Sequence, residues 1–99
     1  MVKSIICELI CSPVGVGVSV SEYVKAAVKA LKKIEGIRCQ THPMGTVFET
    51  QSMEKVFEAT QVAHEAIFKL GAKRVVTQLR IDDRRDVERK MEDKVNAVQ

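Results

Sequence analysis

The chain has 99 residues, of which 45% are apolar and 29% charged, and its 16 basic and 13 acidic residues leave a net charge of +3. This length suits one domain over residues 1–99, with a core thin enough for oligomerisation to be a natural supplement. Because no apolar run reaches the ~20 residues of a membrane span and the basic residues form no one-sided stripe, we expect a cytoplasmic protein whose partners include neither membrane nor nucleic acid.

The first two predicted elements are a strand and a helix. Residues 3–12 alternate with the period of a β-strand, and Glu8 lies on the face opposite to the set Ile5, Cys7, Leu9 and Cys11. A loop with two glycines follows. It lacks the third glycine of a dinucleotide-binding loop, and we interpret it as a turn, the alternative being a loop that binds a phosphate or carboxylate through its backbone amides. Ser19, with Glu22 three residues later, has the form of a capping box that opens a helix, and Gly36 ends that helix.

The next elements form a hairpin. Alternation over residues 37–42 predicts a second strand, and the stretch HPMGTVFE (42–49) then breaks at Pro43 and resumes as a third strand. Proline presets one backbone angle of the tight turn, and Gly45 is expected to relax another. The third strand carries Glu49, a carboxylate inside an apolar run.

A second helix, a fourth strand and a short C-terminal helix complete the chain. Ser52 is the predicted cap of the second helix and Gly71 its stop. Its expected buried stripe comprises Met53, Val56, Phe57, Thr60, His64, Ile67 and Phe68. We interpret His64 as a satisfied core or interface histidine rather than an acid or base.

Residues 75–82 alternate as the fourth strand, and the charged segment 82–98 follows. Its charges at 82–86 would either be solvated or pair between subunits. A narrow apolar row at helical spacing then consists of Val87, Met91, Val95 and Val98. So thin a row stabilises little by itself, and we expect it to dock on its own domain or on a neighbouring subunit.

The element order βαββαβ predicts a ferredoxin-like α+β sandwich, with the antiparallel sheet order 4-1-3-2 and both long helices on one face. The other face, called the open face below, mixes polar and apolar side chains. Its polar members are Glu8, Gln40, His42, Glu49, Gln78 and Arg80, and its apolar members are Ile6, Ile10, Val47 and Val76. Such a face is not a plain solvent face.

Four segments give the chain a resemblance to a known family. They read ELICSPVGVGVSVSEYV, HPMGTVFE, AHEAIFKLGAKRV and RIDDRRD, and begin at Glu8, His42, Ala63 and Arg80. In that order and spacing they resemble the small thiamine-binding protein family, whose relatives include a tandem-repeat protein that binds hydroxymethylpyrimidine and thiamine. The resemblance implies a ferredoxin-like fold, a homo-oligomer built as a dimer of dimers, and non-enzymatic binding of thiamine or its hydroxymethylpyrimidine moiety.

The resemblance carries over only at matching positions. These are Glu8, Pro13, Gly15, Ser19, Ser21, Tyr23, Met44, Gly45, Thr46, Glu49, His64, Glu65, Asp82, Asp83, Arg84 and Arg85. Val16 departs from the pattern, because the family often has a hydroxyl residue after the glycine. That departure removes the basis for a ligand contact from this side chain.

The implied ligand has two chemical needs. An aminopyrimidine edge asks for a carboxylate or an amide, and a cationic thiazolium ring is favoured by negative charge. Glu8 and Glu49 point to the open face from adjacent strands, where two unpaired carboxylates would be costly. Either a cationic ligand satisfies them, or Arg80 and His42 pair with them across a subunit interface, or both. The candidate ligand-binding residues are Glu8, His42, Thr46 and Glu49, followed by Ser19, Tyr23 and Arg80.

No metal site, cofactor site or catalytic set is predicted. The three cysteines are an odd number in a chain without a secretory signal, so we interpret them as reduced core thiols. Cys39 and His42 have the spacing of zinc ligands but would point to opposite faces of one strand. No nucleophile has a histidine and an acid arranged for catalysis. The main alternative is an oligomeric structural or regulatory module without a ligand, and an enzyme acting on a related heterocycle ranks third.

Overall fold

The computed structural model describes residues 4–99 and has the predicted order of elements. The elements are β1 (Ile5–Pro13), α1 (Ser21–Lys32), β2 (Ile37–His42), β3 (Gly45–Thr50), α2 (Met53–Lys69), β4 (Val75–Asp83) and α3 (Met91–Ala97). The strands form an antiparallel sheet in the order β2-β3-β1-β4, which confirms the predicted α+β sandwich. The predicted start of the first strand at residue 3 lies outside the described residues.

The core lies between the sheet and the two long helices. Alternate residues of β1 supply its floor, as their spacing predicts, and Phe48 of β3 is fully buried beside them. The buried cluster also includes Ala27 and Leu31 of α1 and four residues of α2. Burying a side chain such as Phe48 contributes roughly 1.5–3 kcal/mol, so this layer fixes which face of each strand is left open.

The buried line of α2 differs from the predicted stripe. Its fully buried residues are Val56, Ala59, Ala63 and Ile67. Phe57, which was expected in the stripe, is 57% exposed, because the close-packed interior accepts the small alanines and turns the ring outward. The predicted cap is confirmed, since the Ser52 hydroxyl accepts a hydrogen bond from the Lys55 N–H at 3.2 Å.

The start of α1 also differs from the prediction. The helix begins at Ser21, and its N-cap is Val20, whose carbonyl accepts from the N–H groups of Tyr23 and Val24 at 3.0 Å each. No side chain caps this end, so the predicted capping box between Ser19 and Glu22 is wrong. Ser19 lies one residue too early to reach the free N–H groups of the first turn.

The β2–β3 hairpin has a two-residue loop, Pro43 and Met44, with His42 paired to Gly45. Among residues 4–99, positive φ angles occur at Gly15, Gly17, Gly36 and Gly71 but not at Gly45. The prediction that Gly45 relaxes a backbone angle is therefore wrong. Its role is steric. A Cβ at position 45 would lie 3.1 Å from Cγ1 of Ile10, so a residue with a side chain fits there only if Ile10 shifts by a few tenths of an ångström.

The C-terminal helix is shorter than its predicted apolar row. α3 spans Met91–Ala97, so Val87 precedes it and Val98 follows it. Because seven residues make only about two turns, a single position meets the sheet: Met91 is buried, whereas Val95 is exposed. Within residues 4–99, no helix has the length and apolar character needed to cross a bilayer.

The charged segment before α3 forms ion pairs within the chain. Arg84 donates to Asp86 at 2.6 Å, and Arg85 donates to Asp83 at 2.8 Å. The four side chains are largely solvent-exposed apart from Asp83, so each pair contributes little to stability.

Candidate functional site

The open face carries a cavity of about 410 Å³ between the sheet and α3, which lies within the ~300–1,000 Å³ range of small-molecule sites. We call it the Glu8 cavity. Its apolar lining comes from Ile6, Val47, Ile81, Met91 and Val95. Its polar lining includes Glu8, Gln40, His42, Arg80, Asp82 and Lys94. All four strands and α3 therefore contribute to one concave surface.

Glu8 is the carboxylate of this cavity, and its partners within the chain hold it loosely. Its Oε2 lies 3.3 Å from Nε2 of His42, and its Oε1 lies 3.9 Å from Nη1 of Arg80, which is directly opposite on β4. The Glu8 side chain is 31% exposed and that of Arg80 is 86% exposed. So exposed an ion pair stabilises little, and Arg80 is able to leave Glu8 at small cost.

The orientation of His42 follows from the hairpin. The Met44 N–H donates to Nδ1 of His42 at 3.2 Å, so Nδ1 is an acceptor and the ring hydrogen of the neutral form is on Nε2. That hydrogen faces Glu8. One of the two alternatives paired His42 and Arg80 with carboxylates across a subunit interface, and here both meet Glu8 of their own chain.

Glu49, on the same face, is engaged by other parts of the chain. Its Oε1 accepts from Nε of Arg38 at 2.7 Å and from Nη2 of the same guanidinium, and its Oε2 accepts from the Met91 N–H at 2.9 Å. Arg38 also donates to both oxygens of Glu92, at 2.7 and 2.6 Å. We call these groups the α3 latch, because they tie the start of α3 to β2 and β3.

The latch shifts the ionisation of its exposed members. The hydrogen bond from Arg38 lowers the pKa of Glu92 to about 2, with a smaller contribution from its own backbone N–H. The same pairing raises the pKa of Arg38, first through Glu92 and then through Glu49. The pair Arg38–Glu92 is therefore charged at neutral pH.

Arg38 is the residue that the sequence interpretation missed, although a signal for it was present. A two-residue hairpin loop pairs residue 42 with 45, and the same register places Arg38 directly opposite Glu49. The partner of Glu49 was thus readable from the loop length alone.

Three other candidate residues lie away from the Glu8 cavity. Thr46 is buried on the helix-covered face, where it lines a second cavity of about 280 Å³ against α1. Tyr23 packs against the core from α1, and Ser19 is exposed in the glycine loop. The structure therefore brings together Glu8, His42 and Arg80, leaves Glu49 beside them in the latch, and separates the other three.

The remaining histidine and the cysteines have structural environments. His64 Nδ1 and Thr77 Oγ1 are 2.6 Å apart, which confirms a satisfied histidine. All three cysteines are free, and burial, followed by Asp82 and Asp83, raises the pKa of Cys7 to about 11. Across residues 4–99, no three His, Cys, Asp or Glu side chains are grouped as metal ligands.

Comparisons with known proteins agree with one another. The family described as thiamine-binding protein matches residues 7–99. A UPF0045 protein of Methanothermobacter thermautotrophicus is 46% identical over 92 residues, which is 92% of either chain. The crystal structure of a Methanocaldococcus jannaschii protein is similar, with a TM-score of 0.88, 36% identity, and coverage of 96% of this chain and 95% of that one.

A more distant structural neighbour carries a functional description of its own. It is a Thermotoga maritima protein described as a candidate thiamine biosynthesis/salvage protein, with a TM-score of 0.78 and 20% identity. The alignment covers 97% of this chain and 99% of that one. At this identity the likeness extends to the fold.

Proposed function

Because the chain belongs to the thiamine-binding protein family, we propose that it binds thiamine, or the hydroxymethylpyrimidine part of thiamine, without converting it. The binding form is a homo-oligomer, a dimer of dimers, in the cytoplasm, and it uses no metal or cofactor. The observation that carries the proposal is Glu8, a loosely paired carboxylate in an apolar cavity of ligand size.

The aminopyrimidine ring suits the polar end of the Glu8 cavity. Its exocyclic amino group donates hydrogen bonds, and a carboxylate is the stronger type of acceptor for them. Glu8 is able to accept one once Arg80 moves aside. His42 already directs its Nε2–H toward Glu8, and Gln40 offers an amide on the same side of the cavity.

The rest of the cavity suits the flat rings and the positive charge of the ligand. Ile6, Val47 and Ile81 supply an apolar floor, and the thioether of Met91 is a favourable neighbour for an aromatic ring. The carboxylates of Glu8 and Asp82 favour a thiazolium cation once their partners Arg80 and Lys94, which line the same cavity, turn aside. Apolar burial would supply most of the affinity, and the carboxylates the selectivity.

Assembly is supported by what remains exposed beside the cavity. Val76 and Val95 are among the exposed apolar side chains, and Val76 belongs to the open face of the edge strand β4. A second copy that covered them would bury apolar area and close the mouth of the cavity. The alternative function, a module whose open face serves only subunit packing, draws on the same side chains.

Calorimetry with thiamine and with hydroxymethylpyrimidine separates these functions. Heat of binding and a higher melting temperature are expected for at least one of them, and neither effect at millimolar ligand would overturn the proposal. Glu8→Gln should weaken binding about tenfold or more, because the charged acceptor is lost. The matched control is Glu35→Gln, an exposed glutamate that lines neither large cavity and should leave the affinity unchanged.

Three further readouts complete the test. If Thr46→Val weakens binding and Glu8→Gln does not, the ligand occupies the helix-side cavity instead. Recovery of chemically altered ligand would show that the protein is an enzyme and would overturn the proposal of binding without conversion. Gel filtration should give a mass well above that of one chain, and a monomer would refute the assembly.

A further inference from the structure

A second, smaller pocket of about 40 Å³ adjoins the Glu8 cavity. Its lining consists of Ser4, Ile6, Asp82, Arg84, Arg89 and Lys94. Ile6, Asp82 and Lys94 also line the Glu8 cavity, so the two spaces share a wall. We call the smaller space the cationic pocket, because three of its six lining residues are bases.

The positive charge of this pocket is only partly balanced. Lys94 pairs with Asp82, and Arg84 pairs with Asp86 through two hydrogen bonds of 2.6 and 3.0 Å. Arg89 forms no ion pair with any carboxylate of residues 4–99. The pocket therefore keeps about one uncompensated positive charge.

Arg89 also has an unmet hydrogen-bonding need. Its Nε is buried and has no hydrogen-bond partner among the described residues. A buried donor on a charged group without an acceptor is costly, and buried polar groups in proteins nearly always have a partner. An anionic acceptor in the cationic pocket would satisfy this nitrogen and neutralise the charge at the same time.

The Glu8 cavity and the cationic pocket lie along the same two strands, β1 and β4, and prefer different ligand groups: the first a hydrogen-bond donor, the second an anion. Glu8 lies in β1 and Ser4 directly precedes that strand, and their separation of four residues corresponds to roughly 13 Å at ~3.3 Å per residue. On the neighbouring strand β4, Asp82 lies between Arg80 and the end of the strand, and Arg84 directly follows that end. A ligand that fits both ends has a hydrogen-bond donor at one end and an anion at the other, joined by a flat body.

We propose that the ligand is a phosphate ester of thiamine, with its phosphoryl group in the cationic pocket beside Arg89 and its aminopyrimidine at Glu8. This inference rests on the proposed function. A guanidinium presents a planar fork that matches phosphate oxygens, which favours a phosphoryl group at this end over the hydroxyl of thiamine itself. A pocket of about 40 Å³ is too small for a heterocycle and suits one compact group, so the monophosphate is the favoured form.

Parallel titrations of the wild-type protein with thiamine and with thiamine monophosphate test this inference. The monophosphate should bind at least about tenfold more tightly, as expected when a charged, partly buried donor gains its acceptor. Inorganic phosphate should compete with the monophosphate and not with thiamine. Equal affinities for the two ligands would overturn the inference and leave the proposed function standing, whereas binding of neither, and none of hydroxymethylpyrimidine, would end both.

Variants assign the preference to the cationic pocket. Arg89→Gln should reduce the ratio of the two affinities to below about threefold while thiamine binding stays near wild type. Arg74→Gln removes the same charge from an exposed residue that lines neither space, and should leave the ratio intact. If Arg89→Gln does not fold, Arg84→Gln carries the test. A ratio unchanged in the folded variant would refute the role of this pocket.

Discussion

The open face carries two glutamates from adjacent strands, and they have opposite surroundings. Glu49 is 11% exposed and accepts hydrogen bonds from a guanidinium and from the first N–H of a helix. Glu8 is 31% exposed, with partners at 3.3 and 3.9 Å and a cavity above it. A carboxylate on the open face has a structural role when a helix end and an arginine donate hydrogen bonds to it. Without such donors it is available to bind a ligand.

The contrast depends on α3, which covers one part of the sheet and leaves the rest open. The latch fixes the start of the helix over β3, and Met91 is inserted there. The same helix then contributes Lys94 and Val95 to the wall of the Glu8 cavity. Loss of the latch should therefore damage the cavity indirectly, and loss of Glu8 should not damage the latch.

Glu49→Ala should give the largest change of the variants that probe this contrast. It removes the acceptor of the Met91 N–H and of Arg38, which should lower the free energy of unfolding by about 2–3 kcal/mol. Urea denaturation measures the loss, and NMR of the Met91 methyl group reports whether α3 leaves the sheet. A free energy of unfolding equal to that of the wild type would mean that the latch does not stabilise the fold and that Glu49, like Glu8, is available to a ligand.

Acidification should loosen the latch by a smaller amount. The pKa of Glu92 is lowered from 4.5 to about 2, so its contribution is fully present above pH 4.5 and is lost as the pH falls toward 2. The Met91 methyl shift should move across that window, and less so in high salt, which screens exposed pairs. Glu92→Gln serves as the control and should remove this part of the titration.

Glu8→Gln should have the smallest effect on folding. Because the contacts of Glu8 with its partners are long and exposed, we expect the free energy of unfolding to change by no more than about 0.5 kcal/mol. The same urea series measures this change. A loss as large as that of Glu49→Ala would erase the distinction between the two carboxylates. The variant is thus expected to lose ligand affinity while its fold is intact.

The fold was predictable because the spacing of apolar residues along each strand and helix indicates which side of that element is buried. The alternation in β1 named Ile5, Cys7 and Leu9 of the core correctly and placed Glu8 on the open face, and the alternation in β3 did the same for Glu49. In α2 the prediction was right for Val56 and Ile67, which are fully buried, and wrong for Phe57, because close packing placed alanines in the core instead of its ring.

The site was less predictable, for two physical reasons. Thr46 is three residues from Glu49 on one strand and so lies on the opposite face, a parity that should have excluded it from the same cavity. The docking of α3 depends on Arg38 and Glu92, which are distant in sequence and meet only in the folded chain. Local pattern carries no information about such a meeting.

The hydrogen bond from Met44 to His42 has a consequence for how the cavity selects its contents. Because a backbone amide occupies Nδ1, the imidazole cannot turn over without losing a partner, and donor and acceptor directions are set before anything enters. A ligand must match these donor and acceptor positions, and binding does not have to immobilise the His42 side chain at an entropic cost. An analogue with oxygen in place of the amino group would bring an acceptor against the Glu8 carboxylate, and the hairpin would reject it by electrostatic repulsion rather than by size.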